Sequence, residues 1–117
     1  MAKHILIVED DALLGLDIAE QLSAVGFKVV GPATSVASAL RRISEAGCDA
    51  AVLDVNLGRE TGAPVALELK SRGIPFVVLS GYSREQHPEA FQGALFLQKP
   101  ARPDALIATL RQALGNA

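Results

Sequence analysis

Five short apolar runs punctuate this chain, and none alternates with polar residues: Ile5-Leu6-Ile7-Val8, Val29-Val30, Ala50-Ala51-Val52-Leu53, Phe76-Val77-Val78-Leu79 and Ala94-Leu95-Phe96-Leu97. A strand with one wet face would read apolar, polar, apolar. An unbroken run is what a strand needs when helices cover both its faces. Between the runs the period changes to that of a helix. Leu13, Leu14, Leu16, Ile18, Ala19, Leu22 and Val25 recur at helical spacing up to Gly26. Val36, Ala37, Leu40, Ile43 and Ala46 do the same between a candidate N-cap, Ser35, and Gly47. The second run is expected to end at Gly31-Pro32. After the third, a loop with Gly58 and Gly62 leads to Pro64, which suits the first turn of a helix carrying Val65, Ala66 and Leu69 and closed by Gly73. The stretch from Tyr82 to Gly93 is polar, contains Pro88 and has weak periodicity, which predicts a short or irregular fourth helix. Pro103 opens the last helix, through Leu106, Ile107, Leu110 and Leu114.

Five βα units in order give a parallel sheet with helices on both faces, because each crossover is too long for a hairpin. With right-handed crossovers in 117 residues, the expected fold is α/β: a flavodoxin-like (βα)5 doubly wound parallel sheet of strand order 2-1-3-4-5. One domain spans 1–117. Composition agrees, since 50% hydrophobic and 21% charged residues exclude a disordered chain. Eleven Lys and Arg against thirteen Asp and Glu leave a net charge of −2, with no basic excess for direct nucleic-acid binding. The single cysteine, Cys48, rules out an internal disulfide and a cysteine-built zinc cluster. The apolar runs are far shorter than a membrane span, and the N-terminal segment runs into Glu9-Asp10-Asp11, unlike a secretory signal. A soluble, cytoplasmic protein without membrane association is expected.

In sheets of this kind, ligands bind beyond the carboxyl ends of the strands. Strand one ends in Glu9-Asp10, strand three in Asp54, strand four in Ser80 and strand five in Lys99, so one rim gathers three carboxylates, a hydroxyl and an ammonium. Each pair of carboxylates near 5 Å costs about 3 kcal/mol at an effective dielectric of 20. Lys99 offsets one of the three charges. A hard divalent cation resolves the rest, and carboxylates with a backbone oxygen and water form a magnesium-type ligand set. The pocket is thus suited to a phosphoryl group, whose oxygens would meet metal, ammonium and hydroxyl, with Asp54 as the nucleophile. Taken singly, each residue has an ordinary reading. Asp11 reads better as a helix N-cap than as a ligand, Asp54 could start a turn before Asn56 and Gly58, Ser80-Gly81 could be turn chemistry, and Lys99 a surface charge. Their shared position at one end of the sheet argues against those readings.

On four stretches, Ile5-Leu6-Ile7-Val8-Glu9-Asp10-Asp11, Leu53-Asp54-Val55-Asn56-Leu57-Gly58, Leu79-Ser80-Gly81 and Gln98-Lys99-Pro100, the chain resembles the receiver domain of two-component response regulators over essentially its full length. The resemblance implies a phosphoacceptor signalling role in a phosphorelay. Asp54 would take phosphate from a phosphohistidine on a sensor histidine kinase or histidine phosphotransfer protein. Mg2+ would be held by Asp10, by Glu9 through water, by Asp54 and by the backbone carbonyl of Asn56. Ser80 would contact the phosphoryl group, Lys99 would pair with it, and the Lys99-Pro100 bond would be cis. Self-phosphorylation from small donors and autodephosphorylation would follow, without making the domain a conventional enzyme. Phosphorylation would draw Ser80 inward, let Phe96 turn into the vacated space and alter the face that binds a downstream protein.

Three features depart from or refine that pattern. Phe96 stands at the switch aromatic and lacks a hydroxyl, the fourth helix is shortened, and Gly81-Tyr82 with the Asp-Val-Asn-Leu-Gly loop resembles a receiver subgroup common in alphaproteobacteria. Tyr82, two residues beyond Ser80, reads either as a modulator of phosphate lifetime above the site or as a half-buried loop aromatic. The sequence ends after the fifth helix, which suggests a receiver acting by itself through protein binding. A receiver cut from a hybrid kinase or larger regulator is the alternative, and homodimerisation is left open. A small-molecule phosphatase with an aspartyl-phosphate intermediate is disfavoured, because Asn56 replaces its usual acid/base. An unphosphorylated scaffold is disfavoured by Asp54 and Lys99, and flavin binding by the lack of a Ser-, Thr- or Gly-rich phosphate loop after strand one.

Overall fold

The computed structural model describes residues 2–81 and 89–115. The elements in chain order are β1 (His4–Val8), α1 (Ala12–Ala24), β2 (Lys28–Ala33), α2 (Val36–Glu45), β3 (Ala50–Asp54), β4 (Asn56–Leu57), β5 (Glu60–Thr61), α3 (Ala63–Ser71), β6 (Phe76–Ser80), a 3-10 turn (Glu89–Phe91), β7 (Leu95–Gln98) and α4 (Pro103–Ala113). Five strands pair in parallel in the order β2-β1-β3-β6-β7, and β4 and β5 form a separate two-stranded ribbon. In order of chain appearance the parallel sheet runs 2-1-3-4-5, the doubly wound order expected from the sequence.

The unbroken apolar runs are explained by two cores, one on each face. Successive strand side chains point to opposite sides. Leu6 and Val8 of β1, Ala51 and Leu53 of β3, and Phe76 and Val78 of β6 join one core, with Ala39 and Ile43 of α2, Val65, Ala66 and Leu69 of α3, and Phe91. Ile5, Ile7, Ala50, Val52, Val77 and Leu79 enter the other, with Ile18 and Leu22 of α1 and Leu106 and Leu110 of α4. Truncating one such side chain, Leu53→Ala for example, would cost about 2–5 kcal/mol through lost burial and the cavity left behind.

The helices begin where the sequence placed them. The Asp11 carboxylate accepts the Leu14 N–H at 3.1 Å, so this residue is the N-cap of α1, and Ser35 accepts the Ser38 N–H at 3.1 Å to cap α2. Pro64 and Pro103 lie in the first turns of α3 and α4. Two expectations need correction. β2 does not stop at Gly31-Pro32 but continues through both to Ala33. It is an edge strand, where a missing proline N–H leaves no ladder bond unmade. Gly31 has φ +98, and a side chain there would meet the Ala33 nitrogen at 2.7 Å and the Ile7 carbonyl at 2.9 Å. Only glycine lets the edge strand shift register here and stay against β1. Further along, the loop after Asp54 is not irregular throughout, since it holds the β4–β5 ribbon. Within the described part of 82–93, the expected short fourth helix is represented by the 3-10 turn Glu89–Phe91, whose Phe91 is fully buried.

Candidate functional site

Strand register assembles the site. Val8 of β1 lies opposite Leu53 of β3, so the next residues, Glu9 and Asp54, leave the sheet side by side. Asp54 in turn lies opposite Leu79, one residue before Ser80, and Ser80 lies opposite Gln98, one residue before Lys99. The Lys99 N–H continues the ladder by donating to the Ser80 carbonyl at 2.8 Å. Four strand ends therefore deliver their polar residues to one edge, as the sequence predicted.

Glu9, Asp10 and Asp54 each present a carboxylate oxygen, and these oxygens lie within 4.8 Å of one another. Glu9 and Asp54 are buried, 1% and 4% exposed, whereas Asp10 is exposed at the outer side. The Lys99 ammonium reaches into the cluster, with Nζ 2.6 Å from Asp54 Oδ2 and 3.1 Å from Glu9 Oε1. Burial pushes the Glu9 carboxyl up to about 7; the Asp11 N–H, donated to Glu9 Oε2 at 3.1 Å, pulls the other way, and neighbouring Asp54 raises it further. Burial also works against the charged Lys99, but hydrogen bonds and charge from Asp54, then Glu9, outweigh it and hold its pKa above the ordinary value.

The burial of Glu9 has a structural cause. Its N–H donates to the Ala33 carbonyl at 2.9 Å, at the end of the β2 extension. Pro32 of that extension packs on Gly15 of α1, where an added Cβ would meet Pro32 Cβ at 3.0 Å and Glu9 Cβ at 3.7 Å. The Gly15–Pro32 contact thus closes over the Glu9 stem.

Asn56 enters the site through its N–H, donated to Asp54 Oδ1 at 3.3 Å. Gly58 donates its N–H to Asp10 Oδ2 at 2.9 Å. In the sequence Gly58 reads as a loop residue within the receiver-like stretch, but this contact is not legible there, because no side-chain pattern marks a backbone donor. Ser80 is buried at the rim, and Lys99-Pro100 is cis, as expected. Phe96 is half-buried on β7 and packs against the core of α2 and α3. The expectation for Tyr82 falls outside the described residues.

The donor set is made of hard oxygen ligands around one ammonium. Such a set suits a small divalent cation and the phosphoryl oxygens it would attract. Residues 5–111 match the family described as the response regulator receiver domain. This chain belongs to that family. As a receiver domain of two-component response regulators it is a phosphoacceptor signalling module. It is 34% identical over 117 residues to the regulatory protein VirG of Agrobacterium tumefaciens, covering 96% of this chain and 43% of that protein. It is 32% identical over 118 residues to the transcriptional regulatory protein PdtaR of Mycobacterium tuberculosis, covering 97% and 58%. The phyllosphere-induced regulator PhyR of Methylorubrum extorquens is 28% identical over 123 residues, covering 97% and 44%, in keeping with the alphaproteobacterial resemblance. The receiver domain spans about half the length of these relatives. A CheY-like receiver structure from Methylobacillus flagellatus superposes with a TM-score of 0.84 at 27% identity, covering 97% of this chain and 99% of that one. Among the described residues no helix is long and apolar enough to cross a membrane.

Proposed function

We propose that Asp54 of this receiver domain accepts a phosphoryl group from the phosphohistidine of a sensor kinase or histidine phosphotransfer protein. Mg2+ would be held by Glu9, Asp10, Asp54 and the backbone carbonyl of Asn56. The observation that carries this reading is the buried Asp54 carboxylate, set between two further acids and the Lys99 ammonium at 2.6 Å. When bound, the magnesium ion supplies positive charge beside the phosphoryl oxygens and relieves the repulsion among the three carboxylates.

The chain's own residues supply position and charge. An Asp54 carboxylate oxygen forms the new O–P bond as the P–N bond of the donor breaks, and the electron pair returns to the imidazole ring, which takes up a proton. Lys99 faces the charge that collects on the phosphoryl oxygens, and Ser80, at the adjoining strand end, contacts another of those oxygens. In autodephosphorylation a water oxygen bonds to phosphorus, Asp54 leaves with the electron pair of the O–P bond, and inorganic phosphate is released. The same chemistry allows self-phosphorylation from a small acyl phosphate.

Phosphorylation replaces one negative charge by about two and adds strong acceptor oxygens. Ser80 then draws toward the phosphoryl group, and Phe96, on the neighbouring strand, turns inward beside it. The surface of the 3-10 turn, β7 and α4 changes its preference for a downstream protein or a second copy of the domain. This role would be exercised by residues 1–117 as one receiver unit, and in the cytoplasm, where phosphohistidine donors reside. The test is incubation with acetyl phosphate in magnesium or in EDTA, followed by intact mass. One added phosphoryl group in magnesium and none in EDTA is expected. Labelling that ignores EDTA would overturn the role assigned to the metal.

A further inference from the structure

The three acids are held in two different ways. Glu9 and Asp54 are buried and tied to Lys99, whereas Asp10 is exposed, and its Oδ2 is held at 2.9 Å by the N–H of Gly58. Gly58 sits at the turn of the β4–β5 ribbon, so this hydrogen bond ties the exposed Asp10 carboxylate to that ribbon.

The ribbon is small. It pairs Asn56 with Thr61 and Leu57 with Glu60, and an isolated ribbon of this size is marginal in water. At its base the Gly62 N–H donates to the Val55 carbonyl at 2.7 Å, and Leu57 is buried in the core of α2 and α3. At its outer end Glu60 reaches across to α2, where its Oε1 accepts the N–H of Val36 at 3.3 Å. Val36 is the first residue of α2, and first-turn N–H groups have no acceptor within the helix. The Ser35 hydroxyl serves Ser38 and the Glu60 carboxylate serves Val36, in a place where the helix dipole favours negative charge. The ribbon turn is thus strung between two anchors, the first turn of α2 through Glu60 and the acidic pocket through Gly58.

We propose that Glu60 is a positioning residue for the phosphoacceptor pocket: by bridging to α2 it fixes the ribbon whose Gly58 N–H holds Asp10 in ligating position. The inference rests on the proposed magnesium-dependent reading of the pocket and adds to it a residue that touches neither metal nor phosphate.

The test compares wild type with Glu60→Ala, which removes the bridge, and Glu60→Gln, which keeps the Oε1 acceptor. Amide hydrogen exchange at Val36 and Gly58 is read by NMR in metal-free protein, and magnesium affinity by calorimetry. In Glu60→Ala, exchange should quicken at both Val36 and Gly58, and magnesium should bind roughly two- to fivefold more weakly, the size of one carboxylate interaction at a helix N-terminus. Glu60→Gln, which keeps the acceptor but not the charge, should restore part of both. Quickened exchange at Val36 alone, with Gly58 and magnesium affinity as in wild type, would show a local helix cap and overturn the inference. A wild type that binds no magnesium would instead defeat the metal reading, and the Gly58 exchange, measured without metal, would still decide for or against the bridge.

Discussion

Lys99 and Asp54, 45 residues apart in the chain, meet with Nζ 2.6 Å from Oδ2. The same ammonium lies 3.1 Å from Glu9, so it occupies oxygens on two of the three acids that would ligate a cation. On the proposed reading, lysine and metal would compete for the carboxylates in the resting site and would act together once a phosphoryl group brings oxygens for both.

Removing the ammonium should separate those two roles. Lys99→Met is expected to bind magnesium at least as tightly as wild type, because nothing then competes for the oxygens. Phosphoryl uptake should fall about 10- to 100-fold, the value of a lost charge-assisted hydrogen bond of 1.5–3 kcal/mol. Calorimetry and the rate of labelling by acetyl phosphate measure the two effects; a variant that loses both in parallel would mean that Lys99 supports the metal.

Magnesium binding should be coupled to a proton. In the metal-free fold Glu9 keeps its proton up to about pH 7 rather than 4.5, its ordinary value. Between those values the folded state holds more proton than the unfolded one, so the contribution of Glu9 to stability declines as pH rises through that window. The cation takes the carboxylate form. Its apparent affinity should therefore strengthen as pH rises toward 7 and level off above it, with proton release near about pH 6 and little near about pH 8.5. Calorimetry in two buffers of different protonation enthalpy reads this directly, and proton release independent of pH would contradict it.

Gly58 at the turn of the ribbon and Gly62 just after it are glycine for different reasons, which mutation should resolve. Gly58 has φ +65, with Asp10 Oδ2 at 3.9 Å as the nearest atom to an added Cβ. Gly58→Ala should cost about 1 kcal/mol, the usual penalty for a left-handed residue. Gly62 has an ordinary φ of −76, but a Cβ there would fall 2.5 Å from the Asp54 carbonyl oxygen and 3.0 Å from Leu53 Cδ1. Gly62→Ala must push Asp54 or the ribbon aside and should cost about 2–3 kcal/mol, at the upper end for overpacking, and impair labelling as well. Urea unfolding in EDTA gives the order; equal costs would remove the steric explanation.

The residues of the pocket were legible in the sequence because strand ends are. Glu9, Asp10, Asp54, Ser80 and Lys99 each follow an unbroken apolar run, and parallel pairing in near register sends them to one edge. Asp11 was legible as a cap because a carboxylate three residues before a free N–H has a local partner. What escaped depends on long-range placement. Gly31-Pro32 has the local chemistry of a stop, and only the edge position of β2 lets the strand pass through it. The β4–β5 ribbon is too short to show a period, so the Gly58–Asp10 and Glu60–Val36 contacts, 48 and 24 residues apart, left no mark in the pattern. That Lys99 would bridge two acids, and that burial would raise Glu9, follow from distances no spacing rule contains.

The central claim is that phosphate lands on Asp54. Wild type and Asp54→Asn, each incubated with acetyl phosphate and magnesium, are compared by intact mass, with circular dichroism to show that both are folded. One phosphoryl group on wild type and none on a folded Asp54→Asn is the predicted result; equal labelling of the two would contradict it.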